Sequence, residues 1–154
     1  MSFQKPPGGT RGAKVPWTNA VGRAVVRIFA AWHRRSGDRF QGMDLLYLTT
    51  VGAKTGQRRQ IAVTRVPDGD DAWLVVASNG GAAHHPGWYH NMSAHPDQVW
   101  IEFGGRQLRV TPTQLEGDAR AQAWQRITEA VPRFVGYERA TDRTLPVIRL
   151  TPAE

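Results

Sequence analysis

From Gly42 onward the chain is written in short apolar runs, each closed by a turn of Gly, Pro, Asp or Asn, and this punctuation constrains the fold more than any other feature. Strands need no more sequence than that, whereas a helix needs an apolar stripe sustained at its own period. Residues 44–51 read as a strand in which Leu45, Leu46, Tyr47 and Leu48 are apolar on both faces. Residues 52–56 make a tight turn, and 57–66 a second strand where Ile61 and Val63 alternate with polar neighbours. Pro67-Asp68-Gly69-Asp70 is a turn by composition. Residues 72–77 are wholly apolar and predict a strand buried on both faces. Residues 98–103 and 106–111 flank Gly104-Gly105, the strongest short hairpin signal in the chain. In this stretch only 116–131 sustains a helical period, with Ala119, Ala123, Trp124 and Ile127 on one side and Pro132 as its stop. Residues 145–150 make a last strand. Five or six strands with two or three helices predict a mainly β, α+β architecture: a small closed or partly closed antiparallel barrel with helices outside it. Strand–helix alternation and a GxGxxG fingerprint are both missing, which excludes a doubly wound dinucleotide fold.

The 154 residues suffice for one domain with a real core. Cysteine is absent, which removes disulfides, thiolate metal sites and thiol nucleophiles together. No run is long enough to span a bilayer, and the opening residues lack the apolar region of a secretory signal. A cytoplasmic protein, soluble or surface-bound, is the expectation. The net charge of +7 suggests nucleic acid until it is located. Residues 1–39 hold eight basic side chains against the single acid Asp38, and the rest of the chain is balanced. A nucleic-acid face spread over the domain is therefore not expected.

Residues 1–16, rich in Pro and Gly, read as a disordered basic arm. Over 17–36 the pattern turns helical: Val21, Val25, Ile28, Phe29 and Trp32 share one side, and Arg23, Arg27 and Arg34 the other. Thr18 or Asn19 can cap its start and Gly37 its end. Such a helix docks its stripe on the domain, or lies on an anionic membrane through residues 18–35. Residues 39–152 form the domain proper.

Two segments can carry chemistry. In Thr49-Thr50-Val51-Gly52-Ala53-Lys54-Thr55-Gly56-Gln57-Arg58-Arg59, a sharp turn is bracketed by Lys54 and Arg59, with Thr55 and Gln57 between them. A mobile ammonium and a forked guanidinium suit phosphates and carboxylates; the alternative is a charged tip that keeps a sheet end soluble. In Ser78-Asn79-Gly80-Gly81-Ala82-Ala83-His84-His85-Pro86-Gly87-Trp88, a loop leaves a buried strand and enters a short helix near Pro86. Its backbone amides can bond a flat heterocycle with Trp88 as an apolar wall, or the loop is structural with Trp88 in the core. His84, His85, His90 and His95 match no metal-site spacing, so no metal is expected. Ser36, Ser78 and Ser93 lack a nucleophile elbow. A ligand cradle without a nucleophile or an acid–base pair points to chemistry carried by a cofactor.

Four pieces in order, Leu48 to Arg59, Ala77 to Ala82, Pro86 to Met92 and Thr141 to Pro146, resemble the deazaflavin-dependent nitroreductase family, whose members use reduced coenzyme F420. The resemblance spans about residues 39–150. It implies a split β-barrel of the flavin-reductase type and hydride transfer from the reduced deazaflavin to a quinone, nitroaromatic or unsaturated carbonyl acceptor. Lys54 and Arg59 would hold the cofactor's phosphate and polyglutamate tail, assisted by Thr55, Gln57 and Arg58. Ala77, Ser78, Asn79, Trp88 and Asn91 would line the ring and its linker. Ser78 and Tyr137 would act on the acceptor oxygen, and Phe134 with Tyr137 would shape the acceptor side. The family commonly has Asn where this chain has His85, a basic residue at Asn79, and tyrosines where Val131 and Phe134 stand. An N-terminal amphipathic helix with peripheral attachment at the inner face of the cell membrane, and a homodimer, are also open. The rival readings are the same barrel carrying FMN or FAD, and a non-catalytic module that binds a cofactor or a lipid surface.

Overall fold

Eight antiparallel strands lie among the described residues: β1 Arg39–Phe40, β2 Met43–Val51, β3 Arg58–Thr64, β4 Val66–Pro67, β5 Trp73–Val76, β6 Trp100–Phe103, β7 Arg106–Gln114 and β8 Val147–Pro152. The helices among those residues are a 3-10 turn at Asn79–Gly81, then α1 Gly87–Ala94, α2 Gly117–Ala130 and α3 Arg133–Ala140. The structure, a computed structural model, describes residues 3–13, 39–40 and 43–154. The helix expected over 17–36 lies outside them.

The sheet order is β1-β2-β6-β7-β8-β5-β4, and β3 pairs with the other side of β2. Only Arg65 separates β3 from β4. At that residue the strand leaves β2 and joins β5, so one continuous segment closes the sheet into a split barrel. The Arg65 amide donates to the Asp44 carbonyl (2.9 Å), its guanidinium bonds the Leu45 carbonyl, and it lies 4.3 Å over the Phe103 ring. Residues 57–66, read from sequence as one strand, are thus one run that serves two edges.

Strand β5 is buried on both faces, as its uniform apolarity predicts. Trp73 and Val75 point into the barrel with Leu46, Leu48, Ile101 and Leu150. Leu74 and Val76 point out, under α2 and α3, with Ala123, Ile127 and Phe134. Gly104-Gly105 joins β6 to β7 in register, Phe103 opposite Arg106.

Three expectations change. Residues 3–13 are not a disordered arm: Gly9 donates to the Ala83 carbonyl (2.6 Å) and Ala13 to the Gly81 carbonyl (2.9 Å). A Cβ at Gly12 would collide with the backbone of Ala82 and Ala83, so glycine here permits the close approach. Composition hid this because the anchors are backbone groups and distant partners. The long strand after the hairpin reaches Gln114, since Pro112 sits in it with its ring buried and β8 supplies the pairing. Pro132 ends α2, and a new helix then starts at once from Arg133.

Candidate functional site

The tip between β2 and β3 is exposed, and its internal bonds hold its shape. Gly52 donates to the Gln57 carbonyl (2.7 Å), and the Thr55 hydroxyl accepts from the Gln57 amide (3.2 Å). Lys54 stands free in solvent at the apex. Register then builds a row across four strands: Gln60 opposite Thr49, Thr49 opposite Trp100, Trp100 opposite Arg109. Arg58, two residues from Gln60 and so on its face, lies 4.3 Å over the Trp100 ring. With Arg59 these residues line an open groove of about 530 Å³. Arg109 is held there by the Asp97 and Glu154 carbonyls (3.3 and 3.1 Å). Three guanidinium groups on one groove make it a site for acidic ligands.

Ser78 and Trp88 do not line that groove; Asn91 connects the two regions. Its Oδ1 accepts from the Ala53 amide at the tip (3.0 Å), and its Nδ2 donates to the Thr50 hydroxyl (3.3 Å). Helix α1 is thereby tied to the cationic tip. Trp88 is 8% exposed and packs with Ala77, Tyr89 and Met92 in the barrel core. Tyr89 donates to Gln114 Oε1 (2.5 Å), and burial with nearby Glu116 pushes its phenol up to about 12.

Residues 78–81, in the loop that leaves the buried strand, form a shelf. Ser78 is right-handed (φ −77°, ψ −32°), and Asn79 (φ 48°), Gly80 (63°) and Gly81 (83°) have positive φ. A right-handed residue followed by a left-handed one turns successive amides toward one concavity, an arrangement that binds anionic oxygen. Asn79 is the only residue other than glycine with positive φ among those described, and its Nδ2 donates to the His84 carbonyl (3.1 Å). The amides of Ser78 and Gly80 and the Ser78 hydroxyl make no hydrogen bond among the described residues.

Behind the shelf is a residue that sequence reasoning did not assign. Arg143 is 5% exposed, and its guanidinium donates to the carbonyls of Ala82 (2.8 Å), Ala77 (3.1 Å) and Ser78 (2.7 Å), and to His85 Nδ1 (3.0 Å). A guanidinium cannot accept, so His85 carries its proton on Nε2 and donates it to the Pro6 carbonyl (2.7 Å). Burial lowers the His85 pKa, and the Arg143 charge adds to that against the opposing Pro6 bond. Asp142 instead binds the N-terminal segment, accepting from the Thr10 hydroxyl and the Thr10 and Arg11 amides, which hold it at about 2. The signal for Arg143 was present in the 141–146 motif, but only the fold reveals what it grips.

The acceptor-side residues divide. Phe134 is 4% exposed, edge-on to Trp124 (6.4 Å) and Tyr137 (5.4 Å), so it is core and backs Tyr137. Tyr137 is half-buried on α3, and its backbone lies against Gly81, where a Cβ would approach the Tyr137 carbonyl to 3.0 Å. The helix therefore stands beside the shelf. Among the described residues no group of side chains could hold a metal ion.

Comparison with known proteins fits this geometry. Residues 21–152 match the family described as F420H(2)-dependent quinone reductase. An F420H(2)-dependent quinone reductase of Mycobacterium tuberculosis is 41% identical over 139 residues, which cover 85% of this chain and 92% of that protein. A solved F420-H2 dependent reductase aligns with TM-score 0.62 and 36% identity, over 69% of this chain and 92% of its own. A domain-swapped dimer aligns with TM-score 0.63 and 30% identity, over 86% and 99%.

Proposed function

The chain belongs to the F420H(2)-dependent quinone reductase family, and on that premise we propose how its residues divide the work. It is an oxidoreductase that uses coenzyme F420, which decides against FMN, FAD and a purely non-catalytic module. When bound, the reduced deazaflavin supplies a hydride, two electrons in one step. The observation that carries the residue assignment is the Asn91 bridge, which joins a cationic tip to the helix following a shelf whose Ser78 and Gly80 amides make no hydrogen bond among the described residues.

Lys54 and Arg59 hold the phosphate and acidic tail, and Arg58 and Arg109 extend that hold along the groove. Thr55 and Gln57 shape the tip. Ser78, Asn79 and Asn91 line the ring and linker, Ala77 and Trp88 back that seat from the core, and the Ser78 and Gly80 amides donate to the heterocycle. The Ser78 hydroxyl and Tyr137 donate to the acceptor oxygen, where negative charge develops. Phe134 fixes Tyr137 from behind. Solvent supplies the proton. The acceptor is a quinone, with nitroaromatics and unsaturated carbonyls as related electron-poor compounds. The domain-swapped relative supports a homodimer.

Replacing Lys54 and Arg59 together by Ala is expected to weaken F420 binding about 10- to 100-fold, most at low salt, because both groups are exposed and screened. Fluorescence titration measures it. Wild-type affinity in the double variant rejects the anion-site assignment.

A further inference from the structure

The shelf and the groove account for the candidate cofactor contacts, and Arg143 stands behind the shelf, bonded to its Ser78 carbonyl, with no place among those contacts itself. It is a buried cation, and among the described residues no carboxylate pairs with it; its neighbour Asp142 is turned to Thr10 and Arg11. Four acceptors surround it, and three are carbonyls of the shelf and of the residues that flank it, Ser78, Ala77 and Ala82. A trans peptide sets its N–H opposite its C=O. The Ala77 carbonyl points at Arg143, so the Ser78 N–H points away from it. The Ser78 carbonyl does likewise, so the Asn79 N–H points away too. The gripped carbonyls thus fix which side of the shelf presents donors.

We propose that Arg143 is a positioning residue for hydride transfer, one that locks the peptides on either side of Ser78, holds the Ser78 N–H toward the ring seat and keeps an uncompensated positive charge directly behind it. This rests on the reading that the deazaflavin ring sits against the shelf. The charge acts through the peptide dipoles it aligns. In the low dielectric of the core it favours the anionic form of whatever lies on the far side. The shelf then stabilises charge without reorganising during the reaction. Lysine, a single point charge, cannot span three carbonyls and a ring nitrogen as the fork does.

The test uses the full chain with F420H2 and menadione, reading kcat, KM, thermal midpoint and the visible band of bound oxidised F420 against pH. In wild type the band should ionise at lower pH than in free cofactor. Arg143→Lys should lower kcat at least about 10-fold with cofactor affinity within about threefold, since the tail site is untouched. Arg143→Gln should also move the ionisation up by about one pH unit. Ser78→Pro, read against Ser78→Ala so that the loss of the hydroxyl is common to both, separates the two readings: φ −77° suits proline, Ala77 continues the strand ladder to Pro146, and only the unpartnered N–H distinguishes the pair. In Ser78→Pro, kcat and KM equal to those of Ser78→Ala would reject the seat itself. A Ser78→Pro impaired beyond Ser78→Ala, beside folded Arg143 variants of wild-type kcat and unshifted band, leaves the seat standing and overturns the role of Arg143. Should Arg143→Gln not fold, the wild-type titration and Arg143→Lys decide: a bound band ionising where free cofactor does, with kcat kept in Arg143→Lys, overturns it.

Discussion

At the scale of single residues, His85 illustrates how a departure from the family pattern finds work. It stands where Asn is common, and its two ring nitrogens bridge Arg143 to the Pro6 carbonyl. That arrangement requires the neutral imidazole, because a proton on Nδ1 would face the guanidinium. Burial first, then Arg143, His90 and Lys5, hold its folded pKa below the ordinary value. His90, 5.9 Å away ring to ring, is lowered too, by burial and by Lys5 and His84. A histidine with a depressed folded pKa contributes stability above the unfolded value and loses it as pH falls toward the folded one. Urea midpoints should therefore decline as pH drops below about 6.5. The decline should shrink in His85→Gln, which can still accept and donate. An unchanged decline in that variant would assign the effect elsewhere.

At the scale of elements, the N-terminal segment is the clearest lesson. Residues 3–13 form no helix or strand, yet Gly9, Thr10, Arg11 and Ala13 all bond the body, and Phe3 packs edge-on to Tyr89 at 6.0 Å. Two contacts reach the end of the shelf at Gly81 and the loop after it at Ala83. Gly12→Ala forces a methyl group into the Ala83 backbone. Its expected outcome is faster hydrogen exchange at the Gly9 and Ala13 amides, while β7 and β8 keep wild-type protection. Equal exchange at all sites would mean that the segment accommodates the methyl group without lifting. A second tie works between elements: Asp68, its side chain 6% exposed, pairs with Arg126 of α2 (2.8 Å) and Arg149 of β8 (2.5 Å), fastening helix to barrel.

For the whole molecule, charge distribution and closure matter most. The excess of basic groups lies before residue 40, while the described body carries a groove lined by Arg58, Arg59 and Arg109. We propose attachment to an anionic membrane surface only from the basic sequence of residues 18–35; no helix among the described residues is long and apolar enough to cross a bilayer. Replacing Arg23, Arg27, Arg34 and Arg35 by Gln in the full chain should reduce co-sedimentation with anionic liposomes; unchanged pelleting removes the membrane reading. The full chain is the right probe, since deleting the N-terminus would also strip the contacts of residues 3–13. The strand periods, the two-faced apolarity of β5, the Gly104-Gly105 hairpin and the cationic tip were all legible in the sequence, because each depends on residues close in the chain. The turn of the barrel at Arg65, the row from Gln60 to Arg109, the burial of Phe134 and the grip of Arg143 on three carbonyls were not. Those depend on register and on backbone groups that every residue carries alike, so no side-chain pattern announces them. The amino-acid order determined the elements and the chemistry available; tertiary packing alone decided which carbonyls a buried cation would meet.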